Sequence, residues 1–130
     1  MLLWRQLYNT VWLAFFSCVL IPRWMGPRAG LIAHAVLGVL ILVVTRSNVR
    51  RLGALEVPAR LKRISKATFG FAVAQLVAGL VLGGVERLAP GLPLVASILR
   101  GAHVVFALTI LAQASSVATA YDMWEEKECV

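Results

Sequence analysis

The chain has 130 residues, of which 60% are hydrophobic and only 15% are charged, and its formal net charge is +7. Soluble domains are about 45–50% apolar and about 25% charged, and a soluble protein this small could not bury so much apolar surface. The composition therefore excludes a soluble globule and a disordered chain, and 2 cysteines are too few for a disulfide-rich secreted domain. It predicts an integral membrane protein.

Four apolar stretches of nearly membrane-spanning length follow one another along the chain. A bilayer core needs about 20 mostly apolar residues per helix. The stretches cover about residues 7–21, 29–45, 67–85 and 101–120. Proline and glycine separate the first stretch from the second and the third from the fourth. We therefore predict a single domain over residues 1–130, an all-α integral membrane four-helix bundle with four transmembrane spans.

Most of the positive charge lies between the second and third stretches. Residues 46–66 carry seven lysines and arginines against the single acid Glu56, whereas the other two loops carry Arg23, Arg28 and Arg87. Because positively charged loops stay in the cytoplasm, both termini are predicted to be cytoplasmic, in a multi-pass protein of the cell (plasma) membrane. We interpret the basic segment as a topology signal that contacts lipid headgroups, and we expect no nucleic-acid partner.

Each half of the chain contributes one histidine, on its second apolar stretch. His34 and His103 are the only histidines, and both lie a few residues inside helices that enter from the predicted outer face. At 1.5 Å per residue the two imidazoles are predicted to lie at nearly the same depth. Two imidazoles on facing helices are what bis-histidine ligation of a haem iron requires. Hydrogen bonding between helices is the alternative interpretation of both residues.

Five further residues are candidates for contact with such a cofactor. Gly38 lies one turn from the first histidine and offers a smooth face to a flat macrocycle. Arg28 and Arg100 lie near the outer ends of their stretches, where haem propionates would point toward water, although both also suit interfacial anchors. Gln75 and Gly79 lie on the third stretch, where interhelical hydrogen bonding and close helix packing are the alternative explanations.

The sequence contains no motif that predicts catalysis. It has no catalytic carboxylate pair, cysteine cluster, glycine-rich phosphate loop or nucleophile motif, and its acidic residues lie outside the apolar stretches. Cys18 and Cys129 belong to opposite ends of the predicted bundle, so we interpret both as free thiols. No catalytic residue is therefore assigned.

Three short motifs occur in a characteristic order. Residues 34–38 read HAVLG, residues 74–79 read AQLVAG and residues 101–103 read GAH. This order resembles one four-helix half of the haem A synthase family, in which each half carries histidines on its second and fourth helices. The resemblance implies a haem b with His34 and His103 as axial ligands. The chain departs from the family because it has one half only, no glutamate just before His34 and no cysteine pair in the first outer loop.

The leading hypothesis is a small membrane cytochrome b that holds one haem b near the outer face and transfers electrons, within a respiratory complex or beside one. Imidazole in both axial positions leaves no open site for oxygen, which favours electron transfer over catalysis. The expected partners are the lipid bilayer, other membrane subunits of a redox complex, and a quinone whose reduced form, quinol, is a candidate electron donor. The alternatives are a haem-free structural accessory subunit and a divergent haem A synthase-like protein.

Overall fold

The computed structural model describes residues 2–19 and 27–128, without the side chains of residues 19, 27 and 128. Within these residues the chain forms four helices and no strand, which confirms the predicted all-α, four-helix fold class. The helices are α1 (Leu3–Val19), α2 (Pro27–Gly53), α3 (Ala59–Leu88) and α4 (Pro93–Glu128).

The four helices are arranged as a ring in which each one packs against two neighbours. Helix α1 contacts α2 and α4, and α3 contacts the same two helices. Among the described residues, no Cα atom of α2 lies within 8 Å of a Cα atom of α4, so these two helices face each other across the diagonal. The short connections 54–58 and 89–92 make the helices they join antiparallel. The histidine-bearing helices are therefore the diagonal pair α2 and α4.

Three of the described helices are long and apolar enough to cross a membrane. These segments are Arg28–Gly53, Ala59–Leu88 and Pro93–Lys127. Helix α1 is shorter, with 17 residues. Large apolar side chains on all three segments are exposed, among them Ile32, Leu80 and Leu94 at 65%, 69% and 73%. Such surfaces indicate a multi-pass membrane protein that is surrounded by lipid.

The predicted loop over residues 46–66 is wrong in extent. Helix α2 continues to Gly53 and α3 begins at Ala59, so the connection is only residues 54–58. Arginine and lysine are good helix formers, and a helix that leaves lipid for water need not end there. Helix α2 ends instead at Gly53, and Pro58 directly precedes α3.

Other predicted loop residues also belong to helices. Arg28 lies in the first turn of α2 and Arg87 in the last turn of α3, whereas Arg23 and Cys129 lie outside the described residues. Helix α4 begins at Pro93, since proline is favourable in the first helical turn, and it continues to Glu128, past the predicted end of the fourth apolar stretch. The apolar stretches thus mark the central part of a helix and not its ends.

The buried apolar core occupies one end and the middle of the bundle. One cluster lies at the end where α2 turns into α3, and it contains Leu3, Leu7, Leu52, Val57, Leu61, Val117, Ala118 and Tyr121. A second cluster fills the middle of the bundle and contains Ala14, Ile41, Ala72 and Ile110. Beyond that level, among the described residues 15–19, 27–40 and 73–109, no apolar side chain is fully buried. We call this part, which holds both histidines, the histidine half.

A hydrogen-bonded polar layer joins α1 to α2 inside the other half. Gln6 Nε2 donates to Asn48 Oδ1 at 2.7 Å and to Ser47 Oγ at 2.8 Å. Asn48 Nδ2 donates to Thr10 Oγ1 at 2.8 Å, and Arg51 Nη1 donates to Gln6 Oε1 at 2.7 Å. The sequence analysis did not predict this layer, because its members are isolated polar residues that meet only when two helices pack.

We expect Asn48→Ala to lower the free energy of unfolding by about 1–3 kcal/mol, because buried polar groups of Gln6 and Thr10 each lose one hydrogen-bond partner. The measurement is unfolding of the detergent-solubilised protein by sodium dodecyl sulfate, followed by circular dichroism. Ser116→Ala is the control, since that exposed hydroxyl bonds only to its own helix at Ala112 O. Equal losses in the two variants would show that the layer does not stabilise the bundle.

Candidate functional site

The two histidines meet inside the histidine half. The ring centroids of His34 and His103 lie 5.8 Å apart, and the ring planes are inclined by 52°. Since α2 and α4 are the diagonal helices, the two imidazoles together span the interior of the bundle. No hydrogen bond joins the two rings in the part of the chain that the structure describes.

The separation of the rings is close to that of two axial ligands on one iron. Each nitrogen–metal bond is about 2 Å long, and each nitrogen lies about 1 Å from the centre of its ring. Two imidazoles on one metal therefore have ring centroids roughly 6–6.5 Å apart. The observed 5.8 Å is slightly shorter than this value. The spacing of the two rings is therefore close to that of two imidazoles on one metal centre.

His34 is held by a hydroxyl on α1. Ser17 is buried, and its Oγ is hydrogen-bonded to His34 Nδ1 at 3.3 Å. A partner on Nδ1 fixes the orientation of an imidazole and leaves Nε2 for a metal. The sequence analysis missed Ser17, because nothing in a single sequence shows which face of α1 is turned toward α2.

His103 packs directly against the backbone of α3 at Gly79. A Cβ atom at Gly79 would lie 3.0 Å from His103 Cε1 and 3.5 Å from Nδ1, so the ring occupies the space that a side chain would need. The ring also lies beside the main chain of Gln75, one turn earlier. Gly79 is therefore a close-contact position for the second histidine, as well as part of a small-residue face of α3.

Two buried polar atoms of this region are unpartnered. Neither His103 Nδ1 nor Gln75 Oε1 makes a hydrogen bond of normal geometry with any residue that the structure describes. Leaving a buried polar atom without a partner costs about 1–3 kcal/mol, and such atoms in proteins commonly mark a bound water or ligand. The Gln75 amide and the His103 ring therefore offer polar atoms to which a bound group could hydrogen-bond.

The glycines near the histidines face open space. Gly38 lies one turn from His34 on α2, and a Cβ there would meet no atom within 4 Å. The same holds for Gly83, one turn from Gly79 on α3. The described histidine half also contains no fully buried apolar side chain, so it lacks the apolar core that the other half has.

The two arginines predicted near the propionates lie at the outer rim of the histidine half. Arg100 is one turn from His103 and pairs with Glu86 of α3 at 2.5 Å, with both side chains exposed. Arg28 is exposed in the first turn of α2. The Glu86 partner was not anticipated. Exposed ion pairs are weak, so Arg100 can exchange the Glu86 carboxylate for a carboxylate of a ligand.

The donor set favours haem over a bare metal ion. Within the described residues no group of three or more histidine, cysteine, aspartate or glutamate side chains could hold a metal ion. Two imidazoles alone leave most coordination positions unfilled, whereas a porphyrin supplies four nitrogens and needs only axial ligands from the protein. The residues present therefore suit a haem with two histidine ligands.

Comparisons of the chain with protein-family models, with curated proteins and with solved structures found no match. The resemblance to one half of the haem A synthase family consequently depends on the three short motifs alone. The function has to be argued from the paired imidazoles and the residues around them.

Proposed function

We propose that the protein is a small membrane cytochrome b that binds one haem b between α2 and α4, with His34 and His103 as the axial ligands. The observation that carries the proposal is the pair of imidazoles, 5.8 Å apart, on diagonal helices. In this proposal α1 is the fourth span, both termini are cytoplasmic, the membrane is the plasma membrane and the haem lies near the outer face.

The residues around the site have distinct roles in this proposal. Ser17 orients His34 through Nδ1, and Gly79 lets His103 approach α3 closely. Arg28 and Arg100 bind the propionates at the rim, and the Gln75 amide contacts the macrocycle edge. When bound, the haem accepts and gives up one electron. With His34 and His103 as its two ligands from the protein, a bound haem would have no open position for oxygen, which suits electron transfer rather than catalysis.

A haem near one face cannot carry electrons across the whole bilayer by itself. The proposed cytochrome therefore works with other membrane subunits of a redox complex, and a quinol is a suitable electron donor. The described residues do not form a recognisable quinone pocket, so we assign no particular electron donor. We assign the chain an electron-transfer role rather than a catalytic one.

A haem-free accessory subunit explains the histidines less well. That function would use His34 and His103 for hydrogen bonds between helices. His34 makes such a bond to Ser17 of α1, but His103 Nδ1 makes no hydrogen bond of normal geometry with a described residue. A divergent haem A synthase-like protein would need a second half and an additional acid near His34. The cytochrome remains the proposal that uses both imidazoles.

The proposal is tested by titration of the purified apoprotein with haemin in detergent. We expect a saturable change in the visible spectrum that ends at one haem per chain, and reduction by dithionite that keeps the haem six-coordinate. The same titration of detergent alone is the control. Binding that does not saturate, or that saturates well above one haem per chain, would contradict the proposed site.

We expect Ser17→Ala to weaken haem binding about 10- to 100-fold, as is typical for loss of a residue that supports a metal ligand. The midpoint potential should also shift, because the hydrogen bond to His34 Nδ1 is lost. The control is Ser115→Ala, whose hydroxyl bonds to Leu111 O of its own helix. A Ser17→Ala protein with unchanged affinity and unchanged potential would rule out this positioning role.

A further inference from the structure

Three arginines lie along one face of α2, at the end of the bundle remote from the histidines. They line an open groove of about 510 Å³, formed by Val43, Arg46, Ser47, Arg50, Arg51 and Ala54. All six residues belong to α2, at the spacing of one helix face. The groove is therefore a continuous basic surface on a single helix.

Two of the three arginines in this groove have no acidic partner among the described residues. Helix α2 contains no acidic residue, and neither Arg46 nor Arg50 has a carboxylate partner or a side-chain hydrogen bond among the described residues. Like charges four residues apart on a helix repel each other. An anion in the groove would relieve this repulsion, and phosphate is the anion that guanidinium groups bind best, through paired hydrogen bonds.

The same face of α2 is apolar on the membrane side of the groove. Its exposed side chains there are Val36, Val39, Leu40 and Val43. These residues are spaced three or four apart, so they form one stripe that leads to the arginines. A molecule on this face would meet guanidinium groups at one end and an apolar stripe at the other.

We propose that this groove binds one anionic phospholipid, with its phosphate at Arg46 and Arg50 and an acyl chain along the stripe from Val36 to Val43. A free phosphate would satisfy the arginines but not the stripe, and a zwitterionic lipid would bring a second cation to a basic groove. The inference goes beyond the proposed haem function and does not depend on it.

Native mass spectrometry tests the proposal. The purified protein is mixed with equal amounts of phosphatidylglycerol and phosphatidylcholine before release from detergent. We expect one phosphatidylglycerol per chain to be retained preferentially. In the double variant Arg46→Gln/Arg50→Gln we expect about 30-fold weaker binding, from about fivefold per arginine at a lipid surface. Both arginines are exposed, so the variant should fold, which circular dichroism checks.

The matched control is Arg60→Gln/Arg63→Gln, which removes the same charge from exposed positions of α3 that do not line the groove. It should retain phosphatidylglycerol as the wild-type protein does. Equal losses in the two double variants, or equal retention of phosphatidylcholine, would overturn the proposal. Displacement of phosphatidylglycerol by inorganic phosphate at the same concentration would assign the groove to a free anion and overturn it as well.

Discussion

Substitution of either histidine, His34→Ala or His103→Ala, is expected to abolish six-coordinate haem binding while the bundle still assembles. Each change removes one of the two proposed axial ligands. Loss of a residue that only supports a metal ligand weakens binding by up to about 100-fold, so loss of a ligand itself should weaken haem binding by more than that. The apolar clusters lie outside the histidine half, so the fold does not depend on the imidazoles. Haemin titration and the visible spectrum measure the result.

Rescue by added imidazole is a second test of the histidine variants. It should enter the space left by the deleted side chain and restore the six-coordinate spectrum. Gln113→Ala is the control, because that side chain is hydrogen-bonded to Thr68 outside the histidine half, at 3.2 Å. A single histidine variant that keeps one six-coordinate haem without imidazole would eliminate that residue as a ligand.

Gly79→Ala is expected to weaken haem binding although it adds only one methyl group. The new Cβ would lie 3.0 Å from His103 Cε1, so the ring would have to move away from α3, which would disturb the proposed ligand geometry. Overpacking of this kind costs about 1–3 kcal/mol, which corresponds to roughly 5- to 150-fold in affinity. Haemin titration measures the loss, and the spectrum should show a mixture of five- and six-coordinate haem.

Gly83→Ala is the matched control for the change at Gly79. It places the same methyl group one turn further along α3, where the Cβ meets no atom within 4 Å. Both substitutions raise helix propensity equally, so this contribution cancels in the comparison. If the two variants lost haem affinity to the same extent, the effect would come from helix packing in general, and the specific contact with His103 would be disproved.

The sequence predicted the all-helical fold, its long apolar helices α2, α3 and α4, and the common level of the two histidines, because these follow from hydropathy and from helical rise. It did not predict that α2 and α3 continue through the basic segment, since charge marks where lipid ends and not where a helix ends. Ser17 and Glu86 were missed because their partners lie on other helices. A helix that is apolar all round gives no sign of its rotation toward its neighbours.

The unequal packing of the two halves supports the account of a bound cofactor. One half has an apolar core and a hydrogen-bonded layer that includes Gln6 and Asn48. In the histidine half, the interior contains two imidazoles, glycines that face open space and the unpartnered Gln75 Oε1. A haem between α2 and α4 would supply the missing apolar core there.

The most direct test of the central claim is a reduced-minus-oxidised visible spectrum of the protein purified in detergent after expression with added haem, with pyridine extraction to identify the haem type. The account predicts a sharp six-coordinate b-type spectrum at one haem per chain. A protein that is purified folded but without haem would contradict it and would leave the structural accessory subunit as the better explanation.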